Sequence, residues 1–239
     1  QICALGGPLF FMYKIAATIN LAEQLQKDYP EFNFVPVYWM ATEDHDFEEI
    51  RSVFLFGNSY TWNKEHQSQP VGRMNSNGFN EFLESIESQI REKDKFQSLK
   101  NLFEDSYDGK SLASATMQWV HGLFKKYGLV IINPDKKALK KEFIPIIKDE
   151  LINHSSHEEV NRQSEKLSSY NLPVSPRNIN LFYLTDEYRE RIVHEEGKYK
   201  VLNTEKVFSE NEIMKELNEN PHFFSPNVTL RPLYQETKI

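Results

Sequence analysis

Apolar residues at Met12, Ile15, Ala16, Ile19 and Ala22 fall on one helical face and predict a helix over residues 9–29, opened by "LGGPLF" and stopped by Pro30. "FNFVPVYWM" (32–40) is a continuous apolar run, too short for a helix and rich in β-branched and aromatic residues, which predicts a strand buried on both faces. "RSVFLFG" (51–57) predicts a second strand. After a polar stretch from Tyr60 to Gly78, helices are expected near 80–92 and 111–127. In "GLVIINPDKKALKKEF" residues 129–132 are expected to form a short buried strand, with Asn133 as N-cap, Pro134 at the first helical position, and Pro145 expected to kink or restart the helix. A polar helix near 156–169 precedes short alternating runs that predict antiparallel hairpins, and "SENE" (209–212) is a capping box for a helix through Asn218.

This order of strands and helices, interrupted by a helical and a hairpin insertion, gives an α/β fold with part of its core present. The expected division is 1–57 as the first part of the core, 58–127 as a mostly helical insertion and 128–155 as a strand-helix unit of the core. Residues 156–220 are expected to form a hairpin-bearing insertion and 221–239 to return to the core. Ligands of open parallel sheets bind beyond the carboxyl ends of the strands, so residues 42–49 lie where the strand over 32–40 would deliver them to a site.

Composition narrows the partners. With 239 residues, 39% of them hydrophobic, the chain can bury a core without crosslinks. A single cysteine, Cys3, and the lack of a signal peptide or long uncharged apolar span point to a reducing cytoplasm and away from membrane spanning. A net charge of −7 disfavours general attraction to nucleic acid, which leaves a small molecule as the expected partner. The chain opens on Gln1 rather than Met and reads as an internal fragment of a longer protein.

Three stretches carry candidate chemistry. "TEDHDFEE" (42–49) can be a solvated acidic turn with Thr42 capping a short helix; alternatively Asp44, His45 and Asp46 can orient an imidazole as a base, bind an ammonium group or hold a cation. Its spacing matches no zinc motif, and no metal is expected. "LGGPL" (5–9) can be a tight turn or an anion-binding approach to a helix, with Lys14 one turn further on. "FFSPNVTLRPLYQE" (223–236) places Asn227 and Arg231 four residues apart among apolar neighbours. Arg231 can grip a carboxylate or phosphate with its guanidinium fork, or pair with an acid at the core edge.

Together, "GGPLFFMYKIAATINLA", "VPVYWMATEDHDFEEI" and "FSPNVTLRPLYQE" resemble the bacillithiol synthase family, in order as well as in content. The resemblance is specific in the second and third of these stretches and loose over 58–110 and 155–175. It implies a partial Rossmann-type core like the catalytic domains of class I aminoacyl-tRNA synthetases, and an amide-forming ligation of L-cysteine to the amine of glucosaminyl-malate. It carries Asp44, His45 and Asp46 over as catalytic residues. Gln1, Gly7, Pro8, Lys14, Trp39, Glu43, Asn227, Arg231 and Gln235 become the substrate-binding set. Family members also have a coiled coil that makes a homodimer, which this chain does not contain. A nucleotide cofactor is left open, and the competing reading is a non-catalytic nucleotide or sugar-phosphate binding module.

Overall fold

The computed structural model describes residues 2–65, 68–172 and 174–237 as a mixed α/β chain in two compact units, 1–134 and 135–239. In the first, α1 (Phe10–Asp28) buries Ile15 and Ile19, and its end is closed by the Tyr29 amide donating to the Leu25 carbonyl at 2.8 Å. The apolar run after it yields less strand than its sequence predicts: β1 covers only Val37–Trp39. Gln26 accounts for the difference. Its side-chain nitrogen donates to the Phe32 carbonyl at 2.9 Å and its oxygen accepts the Phe34 amide at 3.2 Å, so a helix side chain occupies backbone groups that a strand neighbour would have taken. Phe32 and Val35 stay exposed, and Pro36 has no amide to offer.

β1 pairs in parallel with β4 (Val130–Ile132), in the register Val37↔Val130 to Trp39↔Ile132. Only Tyr38 of β1 is buried, Val37 and Trp39 being half-covered, so burial on both faces does not hold; β4 is likewise not the buried strand expected, with Val130 exposed and Ile131 and Ile132 half-buried. The second predicted strand is β2 (Ser52–Leu55), which turns through Phe56 and Gly57, both with positive φ, into β3 (Asn58–Thr61). The hairpin thus extends into the stretch that looked merely polar.

Three helices follow where two were expected: α2 (Phe79–Glu87), α3 (Lys93–Tyr107) and α4 (Leu112–Phe124). The extra one, α3, buries Phe103, Ser106 and Tyr107 and packs Phe96 and Leu102 against the same core, but the charged residues between them blur its period in the sequence. These helices share one core with α1, β1 and β2, centred on Phe47, Trp62, Phe79, Tyr107 and Trp119, with the Phe79 and Tyr107 rings stacked at 3.5 Å.

In the second unit α5 (Lys137–Asn153) runs on through Pro145 without a break. The lost backbone bond is outweighed by one buried face on both sides of the proline, with Lys140 and Phe143 before it and Ile147 and Leu151 after it. The helix starts at Lys137 rather than at Pro134, and Asn133 does not cap it; its side chain is engaged elsewhere. After α6 (Ser155–Lys166) comes an antiparallel sheet of β5 (Leu181–Leu184), β6 (Arg189–Glu195), β7 (Lys198–Val201), β8 (Val207–Phe208) and β9 (Phe224–Pro226), in the order β8-β7-β6-β5-β9. Between β8 and β9 lies α7 (Glu210–Glu219), opened by the capping box of Ser209 and Glu212. After β9, α8 (Arg231–Glu236) begins with Pro232 in its first turn.

Candidate active site

Because β1 and β4 are parallel, their carboxyl ends finish at the same edge. The chain leaving β1 stays on β4 for one more step, the Met40 amide donating to the Ile132 carbonyl at 3.0 Å. Thr42 then donates its hydroxyl to the Asn133 side-chain oxygen at 2.8 Å; it caps no helix, and the residues that follow form turns. On the other side the turn Val71–Arg73 holds the same segment, with the Gly72 amide on the Thr42 carbonyl at 2.9 Å and the Val71 amide on the Asp44 carbonyl at 2.7 Å. The approach requires glycine: a Cβ on Gly72 would lie 2.5 Å from the Thr42 Cβ and 2.6 Å from its carbonyl oxygen.

The acidic run is therefore a fixed loop with alternating burial. Thr42, Glu43, Phe47 and Ile50 are buried, while His45 and Asp46 are exposed. Asp44 accepts the His45 amide at 2.8 Å, and the same oxygen lies 3.4 Å from the His45 ring Nδ1. Half of the imidazole remains open to solvent. Asp46 accepts the Glu49 amide at 3.2 Å, closing the next turn, and the Ile50 carbonyl accepts the Ala4 amide at 3.0 Å, which ties the glycine segment to the loop. Trp39 is half-buried at the end of β1.

In that glycine segment Leu5, Gly6 and Gly7 all have positive φ, and the turn is closed on itself. The Gly6 amide donates to the Cys3 carbonyl and the Gly7 amide to the Ala4 carbonyl, at 3.3 and 2.8 Å, while Pro8 has no amide. These are the donors that an anion would need, so the tight-turn reading describes the segment. Burial raises the Cys3 thiol pKa and disfavours its thiolate. Lys14, exposed on α1, extends over the Phe10 ring at 4.7 Å. Gln1 lies outside the described residues.

The remaining candidates belong to the second unit, where a chain of polar contacts sets the start of α8. The buried Glu150 carboxylate accepts the Asn180 amide and side-chain nitrogen at 2.7 and 3.0 Å. Asn180 in turn accepts from Asn227 twice, side chain to side chain at 2.8 Å and backbone to backbone at 2.9 Å. Asn227 Oδ1 accepts the Thr229 and Leu230 amides at 2.9 and 3.2 Å, and its carbonyl accepts the Arg231 amide at 2.9 Å. The Asn227 side chain is thus spent on the turn that presents Arg231. Arg231 and Gln235 are half-buried. Lys140, fully buried, donates to the Phe224 carbonyl at 2.7 Å and lies 5.1 Å from the centre of the Tyr234 ring. Sequence reasoning passed over Lys140, Glu150 and Asn180. The signal for the first two was their spacing, which puts them on the face of Phe143, Ile147 and Leu151.

Among the described residues no three His, Cys, Asp or Glu side chains gather into a group able to hold a metal ion, and no helix is long and apolar enough to cross a membrane. Across residues 1–239 the chain matches the family model described as "Bacillithiol biosynthesis BshC, N-terminal Rossmann-like domain". It is 49% identical over 237 residues to a Flavobacterium johnsoniae protein named "Putative cysteine ligase BshC", covering 99% of this chain and 45% of that protein. Proteins of the same name from Flavobacterium psychrophilum and Christiangramia forsetii are 48% and 46% identical, each again covering 99% of this chain and 44% and 45% of their own length. The chain therefore spans less than half the length of these relatives. The chain belongs to the bacillithiol biosynthesis BshC family and corresponds to its N-terminal Rossmann-like domain.

Proposed function

We propose that this chain supplies part of the active site of a cytoplasmic ligase that joins L-cysteine to the amine of glucosaminyl-malate, with His45 as the base. The observation that carries the reading is the Asp44–His45 pair at the carboxyl end of β1, with the imidazole half-open and its Nδ1 3.4 Å from a carboxylate oxygen. The cysteine carboxyl must first be activated by a co-substrate such as a nucleotide, with which one carboxyl oxygen departs; the ammonium group, having no lone pair, cannot attack that carbon until it loses a proton. A neutral imidazole can accept that proton through one ring nitrogen while the other faces the Asp44 carboxylate. Nδ1 faces Asp44, and the amine is assigned to Nε2. Glu43 and Asp46 add negative charge along the loop that would receive a cationic amine. Arg231 is assigned to a carboxylate of the malate moiety. The other proposed substrate contacts are Gln1, Gly7, Pro8, Lys14, Trp39 and Gln235, and the complete protein is taken as a homodimer formed through a coiled coil.

The test is His45→Ala in the full-length protein. Turnover is expected to fall by about two to four orders of magnitude, the range of general-base catalysis. The melting temperature should hold, because the ring is half-exposed. Unchanged turnover with cysteine and glucosaminyl-malate would remove His45 from the mechanism.

A further inference from the structure

The second unit holds a basic cleft that the proposed reaction does not use. β5 begins at Leu181 whereas β6 continues to Glu195, and their pairing stops at Phe182↔Arg191. Beyond that point residues 177–179 part from residues 192–195 and leave a cavity of about 260 Å³. Arg177, Arg191 and His194 line it together with Glu195. The one acid is already taken, since Glu195 pairs with Lys200 at 3.1 Å. Among the described residues neither arginine forms an ion pair. Burial, and after it the charge on Arg177, act against the charged form of the half-buried Arg191.

Two like charges facing one hollow destabilise the fold, and this chain has 35 acidic residues against 28 basic ones from which to place a partner. The hollow is also held in shape. The Arg177 amide donates to Asn180 Oδ1 at 3.1 Å, and its carbonyl accepts the Asn180 side-chain nitrogen at 2.7 Å. Asn180 itself is anchored on buried Glu150. The next carbonyl, that of Asn178, is bonded to His154 Nδ1 at 2.7 Å. Arg191 sits in the middle of a strand whose carbonyl at that position accepts the Leu202 amide at 2.9 Å. The His194 ring is stacked on Tyr199 at 4.5 Å. Surface arginines without a role do not need a loop pinned on both sides.

We propose that the cleft between Arg177 and Arg191 binds a small oxyanion, either a phosphate group or the carboxylate of a short organic acid. Guanidinium forks on two walls suit the paired oxygens that a carboxylate or a phosphate presents, and an anion between them offsets the repulsion they otherwise exert on each other. The space admits one such group and not a bulky ligand in full.

The experiment is calorimetric titration of the full-length protein with inorganic phosphate and, separately, with succinate, at low salt. The variants are Arg177→Gln, Arg191→Gln and the two combined. Arg162→Gln, an exposed arginine of α6 that pairs with Glu159, is the control for general charge loss, and Arg231→Lys separates this cleft from the proposed substrate site. Saturable binding is expected in the wild type, weakened about tenfold or more by each single substitution and lost in the double one. Arg162→Gln should leave the binding of both probes unchanged, and Arg231→Lys should leave phosphate binding unchanged, any second succinate event at Arg231 being the one it removes. The preferred probe identifies the source of the oxyanion. Melting temperatures should not fall in the ligand-free single variants, since each relieves repulsion, and Arg177→Gln alters an exposed side chain if the double variant folds poorly. The proposal is overturned by no saturable binding of either probe to the wild type, by full phosphate binding in Arg177→Gln, or by loss of phosphate binding in Arg231→Lys alone.

Discussion

Asp44 serves two groups of His45 with one oxygen, fixing its backbone and facing its ring. The imidazole is thereby positioned against its own chain neighbour, and that placement depends on how rigidly residues 42–44 are held. Arg231 is the opposite case: its backbone is placed by a relay through Asn227 and Asn180 to Glu150, and the sequence interval of four between Asn227 and Arg231 is that of a turn. Arg231→Lys keeps the charge but loses the two-pronged geometry. If it holds the malate carboxylate, the Michaelis constant for glucosaminyl-malate should rise by the equivalent of about 1.5–3 kcal/mol while that for cysteine stays put. A lower melting temperature with both constants unchanged would make Arg231 structural.

Among the elements, the turn Val71–Arg73 decides whether the acidic loop keeps its place. Replacing Gly72 by alanine should gain about 0.4–1 kcal/mol from a less flexible unfolded chain. It forces a methyl group to within 2.5 Å of Thr42, part of the contact being with backbone that cannot step aside. Overpacking of that kind costs about 1–3 kcal/mol, so the clash prevails. Gly72→Ala should lower the urea midpoint, and an unchanged or raised midpoint would show that the loop can yield. The helix α1, the strand at β4 and the Ser209 capping box could be read in the sequence because each is decided by residues close together in it. Less legible were the places where a partner from elsewhere overrides the local signal. Gln26 shortens β1, Thr42 takes the side chain expected to cap α5, and the buried face of α5 carries the helix across Pro145. At the site, the sequence marked His45 and its acidic neighbours as a group, but their division into buried and exposed members rests on the bonds to Gly72, Val71 and Asn133.

At the level of the whole molecule, the chain is two units with a core each, and the residues singled out for chemistry are shared between them: Trp39 through Asp46 in the first, Arg231 and Gln235 in the second. The motifs show that both stretches are special; that they act on one substrate is the proposal that the kinetic variants test. A different property of the whole follows from Gln26. By occupying the Phe32 carbonyl and the Phe34 amide, its side chain takes hydrogen-bonding groups that another molecule's backbone could otherwise join, in a segment that displays Phe32 and Val35 to solvent. The amide of one glutamine thus acts as a gatekeeper against intermolecular β-pairing. Gln26→Ala should leave secondary structure intact by circular dichroism yet make light scattering on mild heating begin at a lower temperature and depend more steeply on concentration; an unaltered onset would show that Pro36 and the surrounding charges already protect this stretch.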